Sequence, residues 1–572
     1  MDFLRELADR LPIDDKYLKK VPIPGLQGRC LLEIDLGRGV TEAAPASPIE
    51  ALRARNTPAL AVLVEGLQRG AADARVAGLV VHAGAGISLP QAQELRAAIE
   101  AFRASGKPAV AWSEAYGEVT HGTVGYLVAS ACDEVWLQPS GDVSLTGAVL
   151  GGLFLRGALD KLGALPQFRK RKEFKSAAET FMDSSMSEPN REMLERIVES
   201  VNAVVADQIA TSRGLTREQV QAAMSVARMS AEQARELGFV DHVGYRDEAL
   251  AALRERVGGS GQEPQLRYVE RLRKPPSASN LKRHRPVVAI VQATGPIHLG
   301  RSGGRQPMSG HSVGSDTLGA ALRTVAADDD VRAIVLRIDS PGGSYVASDA
   351  IRREILQVRA GGTPVVASMA GVAASGGYYI AMPCERIVAN PATLTGSIGV
   401  LAGKIVLGDA LRRIGVNRQD VARGPFDEMY SQQRPFSDEE LARLDAWLDE
   451  IYADFTAKAA TDRDLPLEQL EPLARGRVWS GADAREHGLV DELGGLEAAV
   501  AAACSAAGVE RSAVETRVAP KIGPLDRLLP TESSDAPVAA SLGEGLGLFD
   551  RVVASLGLEG RGVLTMPQVR LV

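Results

Sequence analysis

A chain of 572 residues, 45% hydrophobic and 24% charged, is too long for one hydrophobic core and is composed as a folded protein of two or more domains. A net charge of −7 excludes a globally basic nucleic-acid binder. The four cysteines, Cys30, Cys132, Cys384 and Cys504, have neither zinc-site nor disulfide-scaffold spacing, so no metal and no cofactor is expected.

Residues 1–55 read as a leader: an amphipathic helix with Phe3, Leu4, Leu7 and Leu11 on one side, then a Pro/Ala-rich stretch at 43–48. It has no apolar signal-peptide core, and nowhere does an apolar run reach the length of a membrane span. The expected location is therefore the cytoplasm or the periphery of a membrane. Strands are expected at 58–64, 76–81, 109–112 and 134–137, with a helix over 90–104. Strands and helices alternating at this spacing predict an α/β layered domain.

The same order then returns. GKPAV at 106–110 reappears as GTPVV at 362–366, and Tyr126, Cys132 and Pro139 reappear 252 residues later as Tyr378, Cys384 and Pro391. Thr146-Gly147 matches Thr395-Gly396, and SAEQARELGFVD at 230–241 matches SGADAREHGLVD at 480–491. A near-constant offset over separate segments predicts two copies of one domain. The expected boundaries are 56–255 and 286–503, joined by a basic linker over 256–285 and followed by a Gly/Ser/Pro-containing tail over 504–572 to which no function is assigned.

The copies differ where chemistry would occur. In the second, residues 365–400 read VVASMAGVAASGGYYIAMPCERIVANPATLTGSIGV. This predicts a strand at 365–367, a tight small-residue turn at 370–377 and a helix from Tyr378, with Ser375 at the helix N-terminus. Backbone N–H groups there can receive developing negative charge. Gly376, following the serine, and Gly342 or Gly343 of the DSPGGS turn at 339–344 form a candidate oxyanion hole. Ser340 and Ser344 read as turn formers and Ser368 as structural. The first copy has Thr123 in place of Ser375 and GAGI at 84–87 in place of the glycine turn, but it carries RKRKEFKSAAETF at 169–181.

Within that run Lys175 is the candidate general base. A lysine serves when burial or nearby cations hold it neutral, and Arg169, Lys170, Arg171 and Lys172 stand close in sequence. Asp427 occupies its place in the second copy, so two degenerate halves predict one composite site between them. His121, Lys172 and Lys404 are rival bases, as is a triad of His298, His311 or His121 with Asp339. Asn390, Thr395 and Ser397 are candidates for orienting Lys175, though local turn capping accounts for them too.

The SPGGS turn, the SMAGVAASGGYYIAMPCERIVANPATLTGSIGV run and the EFKSAAETF segment together resemble the long, two-domain form of the signal peptide peptidase SppA (protease IV) family. The resemblance spans roughly residues 55–500. It implies tandem ClpP/crotonase-like domains, hydrolysis of extended apolar peptides by a Ser–Lys dyad made of Ser375 and Lys175, and a homotetramer that degrades released signal peptides. Family members often carry an N-terminal membrane anchor, which this sequence does not show. The alternatives are a cytoplasmic oligopeptidase of the same chemistry, a crotonase-like acyl-CoA enzyme and a non-catalytic oligomeric scaffold.

Overall fold

The computed structural model describes residues 28–43, 56–84, 86–258, 263–272, 285–302, 311–519 and 564–566. The expected N-terminal helix, the core of the Pro/Ala-rich stretch and most of the basic linker lie outside them. The chain divides into two compact units, the first comprising 1–147, 202–287 and 512–515, and the second 148–201, 288–511 and 516–572.

The first unit is built on strands β1 (Cys30–Asp35), β2 (Val76–His82), β3 (Ala109–Ser113) and β4 (Glu134–Leu137). In the six-stranded sheet they run in the order His242–Val243, β4, β3, β2, β1, Gln265–Tyr268, and every neighbouring pair is parallel. Parallel strands are covered on both faces, which is why β3 reads AVAWS and is buried at all five positions.

The leader contains β1, an inner strand of the sheet. Residues 58–64 begin helix α1 (Leu60–Ala72), not a strand: Leu60, Leu63, Val64 and Leu67 recur at helical spacing and are buried. The expected linker contributes residues 265–268 as an edge strand on β1. The helices over Leu89–Arg103 (α2) and Thr123–Ala129 (α3) follow β2 and β3.

The second unit contains β5 (Leu165–Lys170), β6 (Val287–Thr294), β7 (Val331–Ser340), β8 (Gly342–Gly343), β9 (Val365–Ala374), β10 (Arg386–Ala389), β11 (Leu394–Gly396), β12 (Leu401–Val406) and β13 (Val478–Ser480). Its main sheet runs β13, β11, β9, β7, β6 and Glu515–Val518, with β10 also on β9. Strand β9 forks: Val366–Met369 pairs with β10, while Val372–Ala374 pairs with β11. The small residues from Ala370 to Ala374 therefore continue the strand, where a turn had been expected. Ala370, Ala373 and Ala374 are buried there, while Gly371 and Val372 are half-buried. The chain turns only at Ser375, and helix α5 (Gly376–Ala381) follows.

Segment 148–201 lies within the first copy in sequence but belongs to the second unit. Its strand β5 pairs antiparallel with β12 from Leu165↔Val406 to Lys170↔Leu401. Arg169 and Arg171 also bind Asp445 at 2.7 and 3.1 Å. The two compact units therefore do not coincide with the expected division at 56–255 and 286–503. In the tail, Glu515–Val518 is an edge strand of the main sheet, and β14 (Leu564–Thr565) pairs with β8.

The duplication is visible in matching bonds within each unit. Tyr126 OH donates to the Phe239 carbonyl (2.6 Å), and Tyr378 OH to that of Leu489 (3.0 Å). Asp241 accepts the Val135 N–H and Asp491 the Ile387 N–H, both at 2.7 Å. Arg213 reaches the Gly238 carbonyl and Asp241; Arg463 reaches the Gly488 carbonyl and Asp491.

Candidate active site

Ser375 joins β9 to α5 with φ +55° and ψ −115°, a left-handed region that non-glycine residues seldom enter. Such a residue costs on the order of 1–3 kcal/mol and persists only where its surroundings hold it. Here its N–H donates to the Gly396 carbonyl (2.8 Å) and its carbonyl accepts the Tyr379 N–H (2.9 Å). With the backbone tied on both sides, Oγ lies 2.8 Å from Lys175 Nζ.

Lys175 sits in the irregular stretch between β5 and the short helix Glu179–Met182, and its side chain is fully buried. Nζ also lies 3.0 Å from Ser397 Oγ and 3.2 Å from the Ser397 carbonyl. A neutral amine has two N–H groups and one lone pair. The two Ser397 oxygens can accept both hydrogens and leave the lone pair for the Ser375 hydroxyl. Ser397 itself has φ +51°, and its N–H donates to the Arg477 carbonyl (2.7 Å).

Burial alone pushes the Lys175 ammonium well below its ordinary pKa of 10.5. Desolvation is the cause of that shift, and the cations expected to assist it each have a partner of their own. Arg169 and Arg171 bind Asp445, Lys172 lies 3.5 Å from Glu471, and Lys170 donates to the Glu173 carbonyl (3.1 Å).

Two positions that hold Lys175 escaped the sequence reading. A Cβ at Gly476, where φ is +82°, would stand 2.5 Å from the Lys175 backbone nitrogen, and one at Gly399 would stand 3.3 Å from the Lys175 Cδ. Glycine at both places lets backbone close directly around the lysine. Gly399 belongs to the TGSIGV motif and was legible there; Gly476 lies in an unremarkable RGR triplet. On either side, Arg475 binds Glu173 (2.8 Å) and the Arg477 guanidinium covers the Phe174 ring (4.6 Å).

The glycines of β8 lie against the same corner. A Cβ on Gly376 would stand 3.1 Å from both the Gly343 nitrogen and the Gly342 Cα. The Gly342 N–H donates to the buried Ser340 Oγ (3.2 Å), so of the two it is Gly343 whose N–H is not taken by that serine.

The other candidates have different partners. Thr395 Oγ1 donates to the Ala373 carbonyl (2.7 Å), which braces β11 on β9, and the Asn390 carbonyl accepts the Thr393 N–H in a turn. Ser344 caps helix α4 (Tyr345–Ala360), and Ser368 accepts a bond from Arg337 (2.9 Å). Among the rival bases, His121 Nδ1 meets Thr146 Oγ1 (2.7 Å), His298 Nε2 meets Ser312 Oγ (3.1 Å) and Lys404 donates to the Met429 carbonyl (2.8 Å). Asp339 accepts the Val372 N–H (3.1 Å), and Asp427 accepts the backbone N–H groups of Arg423 and Gly424 in an exposed loop.

A serine forced into a strained strand-to-helix corner, with a buried amine at hydrogen-bond distance, is the arrangement of a serine peptidase, and the protein's relatives are of that class. Residues 101–259 and 357–510 both match peptidase family S49, and the chain belongs to that family as an SppA/protease IV-type peptidase. It is 32% identical to the chloroplastic serine protease SPPA of Arabidopsis thaliana over 506 residues, covering 87% of this chain and 73% of the relative. It is 32% identical to protease 4 of Salmonella typhi over 462 residues (78% and 72%), and 30% identical to protease 4 of Haemophilus influenzae over 455 residues (77% and 71%). The two matched stretches hold Lys175 and Ser375 respectively. Among the described residues no helix is long and apolar enough to cross a membrane.

Proposed function

We propose that the protein hydrolyses peptide bonds by a Ser375–Lys175 dyad through an acyl-enzyme. The observation that carries this is the 2.8 Å approach of a fully buried lysine amine to the serine hydroxyl. Lys175, neutral because its charge would be desolvated, takes the Ser375 proton as Oγ attacks the substrate carbonyl. The oxyanion lies between the N–H groups of Gly376 and Gly343, and one such donor contributes about 3 kcal/mol to the transition state. The ammonium then protonates the leaving amine, and water activated by the same lysine releases the acyl group. Ser397 positions the amine. An acyl-CoA enzyme would use the backbone donors but gives no role to a buried amine on the serine.

The two α/β units are of ClpP/crotonase type on this reading. The small-residue walls of β8 and β9 favour extended peptides with small or medium aliphatic side chains, and released signal peptides fit that description. Val149, Leu153, Leu162, Ile414, Val421 and Tyr430 are exposed apolar residues of the second unit, which supports assembly into a homo-oligomer, a tetramer on the family pattern. Peripheral association with a membrane is compatible with such a surface.

Labelling with a serine-directed fluorophosphonate, together with turnover of a quenched apolar peptide, tests the dyad. Both should be present in the native protein and absent in Ser375→Ala and Lys175→Ala. Full labelling of Lys175→Ala would remove the lysine from the mechanism.

A further inference from the structure

The proposed base stands on neither a helix nor a strand: residues 171–178 are irregular, between β5 and the helix Glu179–Met182. An amine that must keep its lone pair on one hydroxyl needs its backbone fixed by something else. That support comes from residues 471–477, the end of the helix Leu467–Leu473 and the turn that leads into β13.

The grip runs residue by residue. Lys172 Nζ lies 3.5 Å from Glu471, and Arg475 binds Glu173 through Nε (2.8 Å) and Nη2 (3.0 Å). The Arg477 guanidinium covers the Phe174 ring at 4.6 Å. Gly476 then backs directly on Lys175, where a Cβ would stand 2.7 Å from the lysine Cα. The same turn holds the serine that orients the amine. The Gly476 N–H donates to the Ile398 carbonyl and the Ser397 N–H to the Arg477 carbonyl, both at 2.7 Å. One triplet therefore touches the base and its orienting serine together.

Arg475 is where this turn is strained. Its φ is +50° and Gly476 follows at +82°. A non-glycine residue in that region costs energy and persists only where its contacts hold it. Here the Arg475 N–H donates to the Tyr452 hydroxyl (3.3 Å), and the side chain reaches Glu173. The side chains of Arg475 and Glu173 are 38% and 36% exposed, so their pair contributes little to overall stability. A contact that adds little stability, yet joins a strained turn to the base's own stretch, is suited to positioning.

We propose that Arg475 is a positioning residue: its ion pair with Glu173 clamps the 475–477 turn onto the base's stretch and so sets Lys175 Nζ between Ser375 and Ser397. This rests on the reading of Ser375 and Lys175 as the peptidase dyad.

The test uses full-length Arg475→Gln, Glu173→Gln, the double variant, and the exchange of Glu173→Arg with Arg475→Glu. Turnover of a quenched apolar peptide is counted per folded protein, with the folded fraction taken from urea unfolding. Each single variant should lower kcat by about 10- to 100-fold with KM unchanged. The double variant should lose no more than the worse single, and the exchange should recover part of the loss.

The pH profile separates position from charge. Acting through space on Lys175, loss of the Arg475 cation would move the acid limb of kcat/KM to higher pH, and loss of the Glu173 carboxylate to lower pH. Acting through position, either loss loosens the packing around the amine and admits water, so both variants should move the limb to higher pH. Limbs that move in opposite directions would overturn the proposal, as would kcat within about twofold of native in both single variants. A fixed limb, with activity falling only in step with the folded fraction, would also overturn it. Lys175→Ala measured alongside distinguishes the two readings. Turnover retained in Lys175→Ala would sink the dyad and the clamp with it. An inactive Lys175→Ala beside native-like 173 and 475 variants would sink the clamp alone.

Discussion

The corner at Thr123 and the corner at Ser375 began as the same piece of structure and now do different things. Ser375 immediately precedes its short helix and Thr123 opens its own, and each helix carries the matching tyrosine, Tyr126 or Tyr378, bonded to a distant carbonyl. In the first unit the hydroxyl is spent on the backbone: Thr123 Oγ1 donates to the Thr146 carbonyl (2.7 Å) and accepts its N–H (2.8 Å). In the second unit it is the serine's backbone that binds the neighbouring strand, through Gly396, and Oγ is left to face Lys175. Ser375 takes a positive φ to do so, while Thr123 is absent from the positive-φ residues. A hydroxyl that braces the fold is bonded twice to main chain; one available for chemistry is held by strain and meets an amine.

Replacing Ser375 by Ala should break the contrast most severely, lowering kcat about 10⁴-fold or more for a quenched peptide. Lys175→Met should lower kcat by a similar factor, and the double variant should lose little further, since groups that act as a unit are not additive. The lysine also carries a stability signature. Its folded pKa is lowered, so between that value and 10.5 the unfolded chain binds a proton that the folded chain lacks, and stability rises with pH across that window. Lys175→Met removes this slope and should raise Tm near neutral pH by about 2–4 °C, with the gain shrinking as pH approaches 10.5. Calorimetry over a pH series checks it; a gain that grew with pH would contradict a buried neutral lysine.

Gly343→Ala comes next. Its Cβ would stand 2.0 Å from the Ile297 carbonyl, so β8 must shift and move the donor, at a cost of about 10²- to 10³-fold in kcat. Ser397→Ala should lower kcat by about 10- to 100-fold through misorientation of the amine. In the native enzyme kcat/KM should fall as pH drops and Lys175 takes up a proton. Because Ser397 oxygens favour the protonated amine, the variant should move that acid limb to lower pH, a shift that a purely structural defect would not produce. Smallest is Thr123→Ala, with kcat unchanged and stability reduced by about 1 kcal/mol in urea unfolding. A loss of activity there would show that the first corner still takes part in catalysis.

The duplication was legible because the offset recurs in segments whose residues do the same job twice. Asp241 and Asp491, or Tyr126 and Tyr378, make the same bonds in each unit and so kept the same letters. Ser375 and its glycines were legible because strain and close backbone approach leave a run of small residues. The misreadings have equally local causes. The 58–64 stretch is rich in residues that suit either a buried strand or a buried helix. Cys30–Asp35 lies beyond the first copy's repeat signals, so its place inside the sheet left no pattern to find.

By itself the sequence determined that the chain is a doubled α/β protein with one serine-bearing corner and a lysine displaced into the other half, since repeats and small-residue motifs are written along the chain. Only tertiary structure decided that residues 148–201 fold into the second unit, that Lys175 crosses 200 positions of sequence to reach Ser375, and that Leu564–Thr565 lies on β8. Those facts are contacts between segments far apart in sequence. They depend on which strand edge was left open and how much room glycine left beside it, and neither is recorded in the order of the residues.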